Sequence, residues 1–234
     1  MNEAVVITGA SRGIGRATAA RFVARGARVV NLSRSAAHLD GVLDLTVDLG
    51  AEGWEQAVAG PLTVAVAGCQ RLVLVHNAAG LVRDSARDVE STVLRRMLAI
   101  SLIGPAVLQR LLLPHMPRGS AIVYVGSTLS EKAVPNSFSY VTAKHAVVGM
   151  MRATCQDLMD YGIHTVCVCP GITDTEMLRS RVGGDQAVLE TLRSMTGEGR
   201  LIAPEEIARV IELVSDHPVL NGTVLHANLG QRER

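Results

Sequence analysis

The chain has 234 residues, 48% of them hydrophobic and 19% charged, with a formal net charge of +1 at neutral pH. This balance suits a soluble globular protein with a sizeable core and gives no electrostatic reason to expect nucleic acid or an anionic membrane as a partner. No apolar run reaches the ~18 residues of a membrane span, and Met1-Asn2-Glu3 lacks the basic start and small-residue cleavage site of a signal peptide, so the expected location is the cytoplasm.

A strand is expected over residues 4–8, followed by a glycine turn and a helix over 13–25. Strands follow at 28–33 and, in the short run Leu43-Asp44-Leu45-Thr46-Val47, at 43–47. Residues 35–42 between them hold barely two helical turns, so a covering helix is truncated or missing there. Next come a helix at 52–67, a strand at 71–76, a long helix at 88–114, a strand at 120–126, a helix at 138–160 and a strand at 163–169. Val73-Leu74-Val75 and Ile122-Val123 belong to continuous apolar runs, as in strands covered on both faces. Pro204-Glu205-Glu206 opens a helix over 204–216, with proline in the first turn and acids at the positive end of the dipole, and a last strand is expected at 224–227. Residues 173–203 form a long excursion around an amphipathic piece from Ala187 to Met195, the pattern of a lid or substrate loop. Strands alternating with helices imply parallel pairing and right-handed crossovers, hence one doubly wound α/β domain over 1–234.

The run Thr8-Gly9-Ala10-Ser11-Arg12-Gly13-Ile14-Gly15 sits between the first strand and the first helix. Glycines there allow unusual backbone angles and close approach of a ligand, and the helix that follows offers free N–H groups and a positive dipole end to a pyrophosphate. Its spacing is Gly-x-x-x-Gly-x-Gly rather than the more familiar Gly-x-Gly-x-x-Gly. An NAD site usually places an acid about 20 residues past the glycines, on the ribose hydroxyl. Here that stretch reads Asn31-Leu32-Ser33-Arg34, without an acid. Arg34 and Arg12 are expected instead to flank the 2′-phosphate of NADP(H).

Tyr140 and Lys144 are four apart in an expected helix and project from one face. A phenol normally titrates near pKa ~10, and a neighbouring ammonium favours its ionised form, which suits it to proton exchange at neutral pH. Lysine also has spare donors for ribose hydroxyls. Ser127 ends the strand 120–126, at the carboxyl edge where ligands bind in such sheets, and its hydroxyl can hold a substrate oxygen. A Tyr-x-x-x-Lys pair alone occurs by chance on many helices. With the serine and the glycine turn it points to hydride transfer between a nicotinamide and a carbonyl or alcohol.

These residues carry a resemblance, across nearly the whole length, to the short-chain dehydrogenase/reductase family. Gly9, Ser11, Arg12, Gly13, Ile14 and Gly15 resemble its nucleotide turn, and Asp48-Leu49 the pair that meets adenine. His76-Asn77-Ala78-Ala79-Gly80 resembles its Asn-Asn-Ala-Gly element, with His76 in place of the first asparagine. Ser127, Tyr140 and Lys144 match its catalytic residues, and Pro170-Gly171-Ile172-Thr173-Asp174-Thr175 the segment that meets the nicotinamide carboxamide and phosphates. The resemblance implies a Rossmann-type, seven-stranded parallel sheet and a homotetramer or dimer whose contact packs helices 88–114 and 138–160. It is closest in flavour to NADPH-dependent 3-oxoacyl-carrier-protein reductases and related ketoreductases, and so implies a small-molecule or carrier-bound carbonyl substrate. Ser101 stands where the family has a fourth catalytic asparagine, in Ile100-Ser101-Leu102-Ile103-Gly104. The tail Ala227-Asn228-Leu229-Gly230 departs from the family's two consecutive glycines.

Among smaller features, His76 reads as a hydrogen-bonded structural histidine, His145 as packing and Trp54 as half-buried. Cys69, Cys155, Cys167 and Cys169 lack zinc-site spacing and read as buried apolar side chains, the last two on one strand face. Met177, Leu178, Leu189, Leu192 and Met195 suit either an apolar substrate wall or ordinary helix packing. Together these features describe an NADP(H)-dependent reductase of a ketone on an acyl or apolar substrate. Two alternatives remain at this stage: an alcohol dehydrogenase or reductase of another double bond, and a low-turnover NADP(H)-binding sensor marked by Ser101.

Overall fold

The computed structural model describes residues 2–232; Met1, Glu233 and Arg234, at the ends of the expected 1–234 domain, lie outside the described residues. Strands β1 (Glu3–Thr8), β2 (Arg28–Ser33), β3 (Val42–Thr46), β4 (Arg71–His76), β5 (Ala121–Val125), β6 (His164–Pro170) and β7 (Val224–Ala227) form one sheet in the order β3-β2-β1-β4-β5-β6-β7. All neighbouring pairs run parallel.

Helices α1 (Gly13–Ala24), α2 (Trp54–Val66), α3 (Ser91–Leu98), α4 (Gly104–Leu112), α5 (Phe138–Asp157), α6 (Glu176–Val182), α7 (Gln186–Ser194) and α8 (Pro204–Asp216) complete the domain. Side chains alternate across the sheet, so each strand supplies two cores. Val5 and Ile7 of β1 meet Phe22 of α1 and Ile211 of α8 on one face. Ala4 and Val6 join Leu62 of α2, Leu108 of α4 and Met151 of α5 on the other. Burial on both faces is why the strand runs are continuously apolar.

No helix covers the β2–β3 connection. Asp44 Oδ1 accepts from Ala37 N at 2.9 Å and Arg16 Nε donates to Ala37 O at 3.1 Å, so side chains brace a loop too short to coil. Trp54 lies deeper than half-buried, at 7% exposure, because it starts the buried stripe of α2. His145 is exposed rather than packed, its ring Nδ1 2.9 Å from Val141 O on its own helix. All four cysteines are buried and free, with Cys167 and Cys169 Sγ atoms 3.8 Å apart on one strand face.

The helix expected over 88–114 is broken. A π turn, Ala99–Ile103, separates α3 from α4. Pro105 explains it: proline has no N–H to donate to the carbonyl four residues back, here Ser101, and its ring clashes with that carbonyl. The widened turn relieves the clash. The run Ser91–His115 contains an 18-residue stretch of mean hydropathy 1.6, long and apolar enough to cross a membrane, but α3 and the π turn here pack against α5. At the tail, Leu229 takes φ 51°, the left-handed region that glycine enters freely, and its carbonyl accepts from Gly197 N at 2.8 Å.

His76 closes β4 inside the protein, its Nε2 3.3 Å from Gln109 Nε2 and its ring centroid 5.0 Å from that of Tyr124. Nδ1 is buried without a partner. Burial pushes its pKa down from 6.5 to about 3. Between those values the unfolded chain binds a proton that the folded chain does not. Stability is therefore untouched by this group above pH 6.5 and falls as pH drops below it, by ~1.4 kcal/mol per unit. Going from pH 7 to 5 is expected to cost the wild type about 2 kcal/mol through His76, and His76→Asn to abolish that share, as read by urea denaturation at both pH values. Equal acid losses in the two proteins would remove His76 as the cause.

Candidate active site

β1 ends at Thr8, and the chain turns through Gly9 at φ 74° and Gly13 at φ 53°. Gly9 N donates to Leu32 O at 2.8 Å and Ala10 N to Asn31 Oδ1 at 2.9 Å, so the end of β2 shapes the turn. Gly15 serves packing instead: a Cβ there would lie 2.2 Å from Gly9 O and 2.5 Å from Asn77 Nδ2. Helix α1 begins with no side-chain cap and no acid in its first turn, which leaves its N–H groups available to an anion.

A cavity of about 890 Å³ runs along the carboxyl ends of the strands. It is lined by Gly9, Ser11, Arg12, Gly13 and Ile14 of the turn, by Ser33 and Arg34 after β2, and by Asp48, Leu49 and Asn77. Ser127, Tyr140, Lys144, Ile172 and Thr175 line it further along. Every site residue expected from the sequence therefore reaches this cavity except Gly15, which packs behind it, and Ser101. A second cleft of about 900 Å³, between α1 and α8, reaches none of Ser127, Tyr140 and Lys144.

Ser101 lies in the π turn, buried, with its hydroxyl unpartnered; its neighbour Ile100 lines the cavity.

At the nucleotide end, Arg12 and Arg34 are exposed. The nearest strand acid, Asp44, is engaged: its Oδ1 accepts from Asn31 Nδ2 at 2.7 Å and from Ala37 N. Arg96, hydrogen-bonded to Asp48 at 2.7 Å, holds that carboxyl below the usual carboxylate range, aided by Gly50 N–H and the charge of Arg34. Asn77 Nδ2 donates to Thr8 O at 2.9 Å and Gly9 O at 3.0 Å, so its amide ties the turn to β4.

At the chemical end, Lys144 is 4% exposed, and its Nζ donates to Val125 O at 2.7 Å. The same ammonium lies 5.7 Å from the centroid of the Tyr140 ring, within cation–π reach. Ser127 Oγ accepts from Leu129 N at 3.1 Å, which leaves its proton to donate. Ser127 N in turn donates to Ser130 Oγ at 3.1 Å.

Sequence reasoning missed two supports. Asn31 orders the glycine turn. Asp84, 7% exposed, caps α5: Ser139 N donates to its Oδ1 at 3.0 Å and Ser139 Oγ to its Oδ2. That cap fixes the first turn of the helix one residue before Tyr140. Asp84 lies 55 positions from Ser139, so no local signal marks it. Of the five apolar wall candidates, Met177, Leu178, Leu192 and Met195 line the cavity, whereas Leu189 is buried away from it.

Over residues 9–231 the chain matches the family described as Enoyl-(Acyl carrier protein) reductase. It is 33% identical over 220 residues to the 2-keto-3-deoxy-L-fuconate dehydrogenase of Xanthomonas campestris pv. campestris, over 90% of this chain and 73% of that one. It superposes on the ligand-free aldohexose dehydrogenase of Thermoplasma acidophilum with a TM-score of 0.90 and 25% identity, over 98% of this chain and 93% of that one. It also superposes on the angucycline C-6 ketoreductase LanV with bound NADP, with a TM-score of 0.87 and 26% identity, over 97% of this chain and 95% of that one. The chain belongs to the short-chain dehydrogenase/reductase family.

The 2.2 Å approach at Gly15 makes a direct prediction. Gly15→Ala forces Gly9 to shift against Asn77, an overpacking worth ~1–3 kcal/mol. Affinity for a nicotinamide dinucleotide, measured by calorimetry with NADPH and NADH, is expected to fall about tenfold or more, together with thermal stability. Unchanged affinity would mean that the turn is not the phosphate cradle.

Proposed function

We propose that this protein is an NADPH-dependent ketoreductase that reduces a carbonyl to an alcohol. The observation that carries the reading is the meeting of Ser127, Tyr140 and Lys144 at one end of the cavity that begins at the glycine turn. The turn fits a dinucleotide, since its positive-φ glycines and uncapped helix offer backbone N–H groups and no side-chain obstruction. Gly9, Ser11, Gly13, Ile14 and Thr175 would hold the pyrophosphate, Arg12 and Arg34 the 2′-phosphate, and Ile172 the nicotinamide. Asp48 and Leu49 would meet the adenine. The bound nicotinamide supplies hydride.

The chain's own groups do the rest. Ser127 donates its free hydroxyl proton to the substrate oxygen and fixes it. Tyr140 passes a proton to that oxygen as general acid. Lys144, held by Val125 O, has two further donors for ribose hydroxyls and places a positive charge beside the phenol. The apolar wall of Met177, Leu178, Leu192 and Met195 supports an acyl or apolar substrate. The reading includes a homodimer or tetramer built through α3–α4 and α5, where Ile103 is 60% exposed.

Purified protein with NADPH, NADH, a ketone panel and an enoyl thioester tests this. Tyr140→Phe is expected to lower turnover about 10²–10⁴-fold with NADPH affinity roughly unchanged. Tight NADPH binding with no carbonyl ever reduced would favour the sensor; turnover on the enoyl thioester alone would replace the ketone by a carbon–carbon double bond. Arg34→Ala is expected to weaken NADPH about 10–100-fold and NADH little. Equal weakening of the two cofactors would remove Arg34 from the 2′-phosphate site.

A further inference from the structure

The segment 173–203 holds four arginines, and three of them are paired. Arg179 binds Asp174 through Nε and Nη2, both at 2.7 Å. Arg193 binds Glu190 at 3.0 Å, and Arg200 binds Glu198 and Glu206. Arg181 has no carboxylate partner among the described residues. Its Nη2 donates to Ser137 Oγ at 2.9 Å and to Asn136 O at 3.3 Å, leaving Nη1 and Nε unused.

Those two bonds set its place. Ser137 is 1% exposed and immediately precedes α5, one helical turn before Tyr140. The guanidinium is thus tethered beside the start of α5, and Arg181 lines the cavity. The same cavity has an apolar share of its wall in Val134, Met177, Leu178, Leu192 and Met195. Gln231 adds a buried, unpartnered Oε1 beside Met195, whose carbonyl accepts from Arg232 N at 2.8 Å. Glu176 also lines the cavity, but its carboxylate lies by the glycine turn, 3.7 Å from where a Cβ on Gly13 would sit. Besides Lys144, the cavity therefore offers a further tethered cation without a carboxylate partner, in a wall that is partly apolar.

We propose that Arg181 is a specificity-determining residue that binds an oxyanion carried by the substrate on an apolar stem. The unused Nη1 and Nε N–H groups can each give an oxyanion a charge-assisted hydrogen bond, and the tether through Nη2 holds the charge in place for it. The proposal rests on the ketoreductase reading and narrows its substrate class from apolar ketones to anionic ones. The anion has two possible sources, a carboxylate on the ketone itself or a phosphate on an acyl carrier, and the test separates them.

The test uses matched charged and neutral ketones with NADPH: 4-oxopentanoate and 5-oxohexanoate against their methyl esters, and acetoacetyl-coenzyme A against acetoacetyl-N-acetylcysteamine. Wild type is expected to prefer the charged member of at least one pair by about 10–100-fold in kcat/KM, the preference shrinking with added salt. Which pair shows it identifies the source. Arg181→Met is expected to erase the preference through KM, leaving the neutral partner's kcat and the affinity for NADPH unchanged; Arg181→Lys should restore part of it. No preference in any pair, or equal losses for charged and neutral ketones, would reduce Arg181 to a strap between α6 and α5. If wild type turns over no ketone, the ketoreductase reading fails instead. Calorimetry of 4-oxopentanoate and acetoacetyl-coenzyme A on the NADPH complex then decides: Arg181-dependent binding upholds the proposal and its absence overturns it.

Discussion

The site depends on one corner, where β1 and β4 part company. Thr8 Oγ1 accepts from Asn77 N and Ala78 N, both at 2.9 Å, while Asn77 Nδ2 donates back to Thr8 O and Gly9 O. Strand order reverses here, β1 leading outward to β2 and β4 to β5. Loops leaving adjacent strands in opposite directions open a crevice above the sheet. The crevice keeps its shape because four hydrogen bonds hold its floor together. Without them, the glycine turn would have nothing to press against, and the closeness of Gly15 to Gly9 and Asn77 would serve no purpose.

The chemistry is then brought to that crevice by α5, a helix held at two points. Asp84 caps its first turn, and Lys144 is bonded to the last residue of β5. Between those points Tyr140 has little freedom to turn away. Ser127, two residues past Val125, follows directly from the same strand end. The lysine thus acts twice, as a charge beside the phenol and as a pin joining the helix to the sheet. A single buried side chain links the helix that carries Tyr140 to the strand end that leads into Ser127.

Much of this could be read from the chain alone, for a physical reason. Strands covered on both faces must be apolar throughout, so runs such as Val73-Leu74-Val75 reveal themselves, and the order of strand and helix then constrains the sheet. The glycine turn and Tyr140–Lys144 are local patterns and survive reading in one dimension. What stayed hidden is what depends on distant partners. Asp84 looks like any loop acid until α5 folds onto it. Arg181 is distinguished only by lacking the carboxylate that its three neighbours found. Helix α6 was missed because seven residues give little periodicity, and its support comes from the Thr175 cap and the Asp174–Arg179 pair. The break at Ala99–Ile103 escaped because its apolar residues read as one long helix, although Pro105 was in plain view.

That break has a consequence of its own. A π turn holds one residue more than a regular coil, an insertion taken up without disturbing either flank. Removing one residue from Ala99–Ile103 would restore ordinary winding and swing α3 by about 100° about its axis relative to α4. Ile100 would leave the crevice wall, and Arg96 would lose its hold on Asp48. The spare residue sets the phase between two halves of one rod, so that the first half can serve the nucleotide end while the second stays locked in the core.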